Sequence, residues 1–149
     1  MNSNEKKLTP AQEDYLEVIY EITEEHKVAR NKEIAEKLGV TRATVTGALK
    51  TLAEKKLINY EAHGYVTLTD VGTEISKLLI DKHYLFKYFF NIILGMSEKD
   101  AVEIACRIEH SITEDAFTRF KELISNIKNC KNANNCQSCV NDNKNKELI

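Results

Sequence analysis

Asn31-Lys32-Glu33-Ile34-Ala35-Glu36-Lys37-Leu38-Gly39-Val40-Thr41 is the stretch that decides the fold of this chain. It reads as a short helix capped by Asn31 and stopped at Gly39, followed by a tight turn into a new N-cap at Thr41. The helix that follows places Val45, Leu49 and Leu52 at i, i+4 and i+7, which makes them its buried stripe. Its N-terminal face offers Thr41, Arg42, Thr44, Thr46 and Gly47, short polar side chains and one Arg of the kind a major groove accepts. A helix–turn–helix is expected, with an αα-hairpin that binds nothing as the alternative.

Working outward resolves that choice. Leu57-Ile58-Asn59-Tyr60 and Tyr65-Val66-Thr67-Leu68 are β-prone runs joined by Glu61-Ala62-His63-Gly64, a hairpin. A helix–turn–helix followed by a two-stranded wing is a winged helix, so the reading favours DNA. Residues 41–56 hold Arg42, Lys50, Lys55 and Lys56 against Glu54, a local charge of +3. Base reading is assigned to Thr41, Arg42, Thr44 and Thr46, and phosphate contacts to Lys50, His63 and Tyr65. On the N-terminal side, Thr9-Pro10-Ala11-Gln12 is a helix start with Thr as N-cap, Pro at the first position and Gln closing a capping box. That helix carries an apolar stripe of Tyr15, Leu16, Ile19, Tyr20 and Ile22. Asp14 and Glu17 share one of its faces, which taken alone fits a solvated acidic surface.

Beyond the wing, Thr69 caps a long helix carrying Ile75, Leu78, Leu79, Leu85, Phe86, Phe89 and Phe90. This apolar surface is wider than one wing domain can cover, so a second copy of the chain is the expected partner. Ser97-Glu98-Lys99-Asp100 starts the next helix, which contains Cys106-Arg107-Ile108-Glu109-His110. Positions i, i+3 and i+4 share a face, so Cys106, Glu109 and His110 are expected to converge on one point. Thiolate, carboxylate and imidazole together suit a borderline-soft divalent transition metal. Ser111-Ile112-Thr113-Glu114 reads as another capping box, and Phe117, Phe120, Leu123, Ile124 and Ile127 line the last helix. The expected fold is mainly α. A winged helix–turn–helix with a two-stranded β wing fills residues 1–74, an α-helical metal-binding and dimerisation domain fills 75–128, and a cysteine-containing tail occupies 129–149.

The 149 residues are 42% hydrophobic and 30% charged, the composition of an ordinary soluble chain. With no N-terminal apolar run and no apolar stretch long enough to span a bilayer, a cytoplasmic location without membrane contact is expected. A net charge of -2 is unusual for a nucleic-acid binder. Residues 1–75 alone hold 10 Lys and Arg against 13 Asp and Glu, which is 10 - 13 = -3.

Five ordered motifs resemble those of the diphtheria-toxin-repressor/manganese-transport-regulator family of metal-dependent transcriptional repressors. They are Glu13-Asp14-Tyr15-Leu16-Glu17-Val18-Ile19-Tyr20, Ile34-Ala35-Glu36-Lys37-Leu38, Leu68-Thr69-Asp70-Val71-Gly72, Lys82-His83 and Cys106-Arg107-Ile108-Glu109-His110, and the resemblance covers roughly residues 8–128. It implies a homodimer that binds palindromic operator DNA when loaded with metal, in the short form without the SH3-like domain of the long members. It implies metal ligation by Asp14, Cys106, Glu109 and His110, with Glu17 and His83 matching a second ligand set of the manganese branch. The iron branch's ancillary site needs a carboxylate and an imidazole where this chain has Lys87 and Val102, so that site is expected to be absent. The manganese branch carries a glutamate at the place of Cys106. A thiolate there shifts preference away from Mn²⁺, so Fe²⁺ is the expected ion, with Mn²⁺ the alternative and Zn²⁺, Co²⁺ or Ni²⁺ able to substitute in vitro.

Cys130, Cys136 and Cys139 are three thiols in a tail without a histidine, one short of a structural zinc site. A zinc knob, an iron–sulfur cluster, a dithiol switch and an inert tail all fit this spacing. Two other functions fit the residues more loosely, a metalloenzyme and a metal-buffering scaffold. No general base distinct from the metal ligands is evident, so no enzyme is expected.

Overall fold

The structure, a computed structural model, describes residues 8–61 and 64–132, with side chains up to Asn129. His63, Cys136 and Cys139 lie outside the described residues, as does the side chain of Cys130. Packing divides the chain into one compact unit over residues 1–110 and a second over 111–149.

In the first unit, helix α1 (Pro10–His26) begins as its sequence dictates. The Thr9 hydroxyl accepts from the Gln12 amide at 3.3 Å, and the Gln12 side chain accepts from the Thr9 amide at 3.2 Å. Strand β1 (Ala29–Arg30) leads into α2 (Asn31–Leu38), and α3 (Arg42–Glu54) follows. The N-cap of α2 is Arg30, not Asn31, because the Glu33 carboxylate reaches back to the Arg30 amide at 2.9 Å. Asn31 is thereby released for other work. Gly39 ends α2 at φ 66°, a left-handed conformation that glycine adopts without a Cβ penalty. Thr41 then caps α3 through the Thr44 amide at 3.2 Å.

Strands β2 (Ile58–Tyr60) and β3 (Tyr65–Leu68) form the expected hairpin, with Ile58 opposite Leu68 and Tyr60 opposite Val66. The sheet has a third strand, however. β1 pairs antiparallel with β3, Ala29 opposite Val66 and Arg30 opposite Tyr65, giving the order β1-β3-β2. Two residues are too few to leave a period-two signature in the sequence, so the wing reads there as two-stranded. Leu16, Ile19, Ile34, Val45, Leu49, Leu52 and Val66 are fully buried and interlock α1, α2, α3 and the sheet in one core. Each contributes about 1.5–3 kcal/mol of transfer free energy.

Helix α4 (Asp70–Tyr88) is capped by Thr69, whose hydroxyl accepts from the Gly72 amide at 3.1 Å and donates to the Lys56 carbonyl at 2.9 Å. It runs into a π-helical turn, Phe89–Ile93, which the even apolar spacing of the sequence does not announce. Helix α5 (Glu98–Glu109) is capped by Ser97 and packs on α4, and α4 also packs on α1. A serine holds α1 and α4 together, since the buried Ser76 hydroxyl lies 3.2 Å from the Leu16 carbonyl and 2.8 Å from the Gly72 carbonyl. In the second unit, α6 (Glu114–Asn132) starts from Thr113, which accepts from the Ala116 amide at 3.3 Å, and not from Ser111. Among the described residues no helix is long and apolar enough to cross a membrane.

Two glycines on facing sides of this core give opposite predictions. A Cβ on Gly72 would stand 1.9 Å from the Leu57 carbonyl oxygen, whereas one on Gly47 meets nothing within 4 Å. Gly72→Ala should therefore cost more than about 2 kcal/mol, as backbone must move, while Gly47→Ala should gain roughly 0.5–1 kcal/mol of helix propensity. Thermal unfolding followed by circular dichroism checks both signs.

Candidate metal centre

Three helices of the first unit bring seven titratable groups together. α1 supplies Glu13, Asp14 and Glu17, α4 supplies His83, and the C-terminal end of α5 supplies Cys106, Glu109 and His110. The region opens on a cavity of about 410 Å³ lined by Asp14, Glu17, His83, Cys106 and Glu109.

The geometry falls into two halves. In the first, His83 Nδ1 is 2.8 Å from Glu109 Oε2 and 3.7 Å from Cys106 Sγ. The ligating atoms of His83, Cys106 and Glu109 all lie within 4.8 Å of one another, close enough to share one ion. In the second, His110 Nε2 faces Asp14 Oδ1 at 3.1 Å and Glu109 Oε1 at 3.6 Å. The expected convergence of Cys106, Glu109 and His110 on one point is thus divided. His110 stands one residue past the end of α5 and turns toward α1, while Cys106 looks toward α4. Glu109, 2% exposed, belongs to both halves.

Glu13 is the member that the sequence reading missed. Its Oε2 lies 2.6 Å from His110 Nδ1, which fixes the imidazole and leaves Nε2 for a metal. The only sequence signal is its place directly before Asp14, and helical spacing gives no reason to choose it over any surface glutamate.

Electrostatics favour a cation here. Glu17 Oε1 is buried with no hydrogen-bond partner, and burial together with the Glu109 charge lifts the Glu17 carboxyl to about 7. Cys106 is raised by burial and by the Glu109, Glu17 and Asp14 carboxylates. His83 is raised chiefly by its hydrogen bond to Glu109. For His110, burial works against the charged form, but the Glu13 hydrogen bond and the Asp14 and Glu109 charges outweigh it. Without a metal, protons take the place of a cation among crowded carboxylates. An orphaned carboxylate oxygen beside a set of O, N and S donors fits a divalent transition ion. Lys87 also lines the cavity, but its ammonium is 2.8 Å from Glu98, so this position offers a paired cation in place of a ligand.

The described DNA-reading candidates lie on α3 and β3, outside the lining of this centre. Thr41, Arg42, Thr44 and Lys50 are exposed on α3, and Tyr65 is 38% exposed on β3. Thr46 is half-buried, and its hydroxyl is engaged within the domain. Its hydroxyl donates to the Arg42 carbonyl at 2.9 Å and accepts from Asn31 Nδ2 at 3.1 Å.

The raised groups fix the sign of a pH effect. Glu17, His83 and His110 all hold protons more tightly folded than unfolded, so their contributions stabilise the metal-free protein at low pH and fade as pH rises, that of Glu17 through about 7 and those of the histidines above their ordinary range. Metal ligation requires the same protons to leave. The gap in Tm between metal-loaded and metal-free protein should therefore widen from pH 6 to pH 8, measured by calorimetry. A gap constant with pH would show that these groups do not ligate.

Comparison with known proteins shows what the chain is similar to. Residues 7–66 match the family model described as iron dependent repressor, N-terminal DNA binding domain, and residues 69–136 match iron dependent repressor, metal binding and dimerisation domain. A helix–turn–helix-type transcriptional regulator of Methanocaldococcus jannaschii is 37% identical over 78% of this chain and 94% of its own length. The transcriptional regulator MntR of Bacillus subtilis is 34% identical over 78% of this chain and 81% of its own. Among solved structures, the manganese regulator SloR superposes with a TM-score of 0.70 at 30% identity, and Thermoplasma acidophilum IdeR with 0.68 at 25%. The match covers 79% and 80% of this chain but only 55% of each of those two.

Proposed function

Because the chain belongs to the iron-dependent repressor family of metal-dependent transcriptional regulators, we propose that it is a homodimeric repressor of metal-ion homeostasis responding to Fe²⁺. It would bind palindromic operator DNA when metal-loaded. The observation that carries the choice of ion is Cys106 Sγ beside His83 Nδ1 at 3.7 Å and within 4.8 Å of a Glu109 oxygen. Thiolate favours Fe²⁺ over the harder Mn²⁺. Manganese regulators are prominent among the relatives, so a Mn²⁺ response is the second reading. It is favoured by the O/N character of the Asp14, Glu109 and His110 half.

The proposed mechanism follows from where the ligands sit. Asp14 and Glu17 lie on α1, which packs against the helix–turn–helix, whereas Cys106, Glu109 and His110 lie at the end of α5. A bound divalent ion supplies positive charge that offsets these carboxylates. In its absence the carboxylates of α1 and α5 repel unless protonated, and the reading helix keeps its freedom. With all six ligands drawn inward, α1, α4 and α5 hold one spacing, and the two α3 helices of a dimer meet half-sites one helical turn apart. On this reading the DNA-reading part runs up to residue 74 and the metal-binding and dimerising part over 75–128. Ligand use of α1 carboxylates also accounts for the -3 of the first 75 residues.

The test is operator retardation under anaerobic conditions with Fe²⁺ and Mn²⁺ side by side, for wild type and Cys106→Ala. Fe²⁺ should tighten wild-type binding by at least about tenfold, and Cys106→Ala should lose most of that response while Mn²⁺ still acts. Equal binding by metal-free protein would overturn the switch. A Cys106→Ala variant with an intact Fe²⁺ response would overturn the choice of ion.

A further inference from the structure

Outside the metal centre, Arg30, set against Tyr65 at the hairpin end of the wing, has no role assigned so far. The Arg30 guanidinium lies over the Tyr65 ring, 5.3 Å from its centroid. The two residues are directly opposed across the β1–β3 pair, so the stack is part of the sheet's register. Tyr65 is 38% exposed and Arg30 is exposed as well. A guanidinium stacked on a ring keeps its in-plane N–H donors free and loses little rotamer entropy when it meets an acceptor.

The next residue, Asn31, is bonded to the reading helix. Asn31 Nδ2 donates to Thr46 Oγ1 on α3 at 3.1 Å and to the Tyr60 hydroxyl on β2 at 3.2 Å. One amide thus ties the start of α2 to both the reading helix and the sheet. The Asn31 Oδ1 is buried without a donor, a poor arrangement for stability alone. On α3, Arg42 and Lys50 stand four residues either side of Thr46 and so share its stripe. Both are exposed. Elsewhere in the domain two lysines are taken up by carboxylates, Lys37 by Glu21 at 3.0 Å and Lys32 by Glu36 at 3.7 Å. Among the described residues, Arg30, Arg42 and Lys50 have no such ion pair.

We infer that Arg30, laid over Tyr65 at the seam between α3 and the sheet, is a DNA phosphate clamp that extends the cationic row of Arg42 and Lys50 onto the wing. Charge complementarity selects the occupant. Three unpaired cations along one seam of an otherwise acidic domain suit a polyanion whose phosphates recur at regular spacing. The inference rests on the DNA-binding reading above, and adds a contact that neither helix periodicity nor the wing hairpin indicated.

The test is the salt dependence of duplex binding by metal-loaded full-length protein, on a duplex selected from a random pool by the wild type. Arg30→Ala leaves the Arg30 amide bond to Glu33 in place, so α2 keeps its cap. This variant should bind roughly tenfold more weakly and lower the slope of log K against log salt by about 0.9, with metal stoichiometry unchanged. Arg30→Lys should keep the slope but lose severalfold in affinity, since an ammonium has no plane to stack. Tyr65→Ala should weaken the wild type yet add nothing to Arg30→Ala. An Arg30→Ala variant with wild-type affinity and slope overturns the clamp while leaving the DNA-binding reading standing. A wild-type protein that retains no duplex overturns both.

Discussion

Glu109 places one carboxylate between two imidazoles, and the rest of the site depends on that sharing. Its oxygens face His83 on α4 at 2.8 Å and His110 beyond α5 at 3.6 Å, and the group is 2% exposed. A buried carboxylate is costly unless cations or hydrogen bonds surround it. Its hydrogen bond and charge in turn raise the proton affinity of both histidines. On the proposed reading the same groups, deprotonated, would be the ligands, and proton and metal would compete for one set of atoms. Everything else at the site arranges access to that competition. Glu13 orients His110, Cys106 adds a thiolate on the His83 side, and Asp14 and Glu17 bring α1 into reach.

This arrangement relates the acidity of the N-terminal region to its proposed task. Carboxylates on α1 face the metal centre, while the unpaired cations Arg30, Arg42 and Lys50 lie along α3 and the wing. Charge is therefore separated by surface and not distributed evenly, and the net value of -2 conceals a division of labour. The core of Leu16, Ile19, Val45 and Leu49 joins the two surfaces rigidly, because α1 and α3 bury their apolar stripes in one cluster. Interiors packed at crystal-like density transmit displacement more readily than they absorb it. On the proposed mechanism, a shift of α1 on metal binding would be felt at α3.

Much of this was legible in the residues. The helix–turn–helix followed from Gly39, Thr41 and the Val45, Leu49, Leu52 stripe, and the caps Thr9, Thr69 and Ser97 all begin helices where the sequence placed them. What escaped reading depends on long-range contacts. β1 is two residues defined only by pairing with β3. Asn31 looked like a cap because its residue type suits one, yet Glu33 satisfies the backbone one residue earlier and Asn31 turns to Thr46 and Tyr60. Thr46 looked like a base reader because its helix face is right, but its hydroxyl is already engaged. Glu13 could not be found from spacing, since its partner His110 is 97 residues away. The division of Cys106, Glu109 and His110 into two halves has the same origin, because helical periodicity stops applying where α5 ends.

The central claim is that metal links α1 to the α4–α5 pair, and hydrogen exchange of full-length protein with and without Fe²⁺ measures that link directly. The account predicts slower exchange over residues 10–20 of α1 as well as over 80–110 when metal is added, with the α1 effect lost in Asp14→Ala. Protection confined to residues 80–110 in the wild type would contradict it.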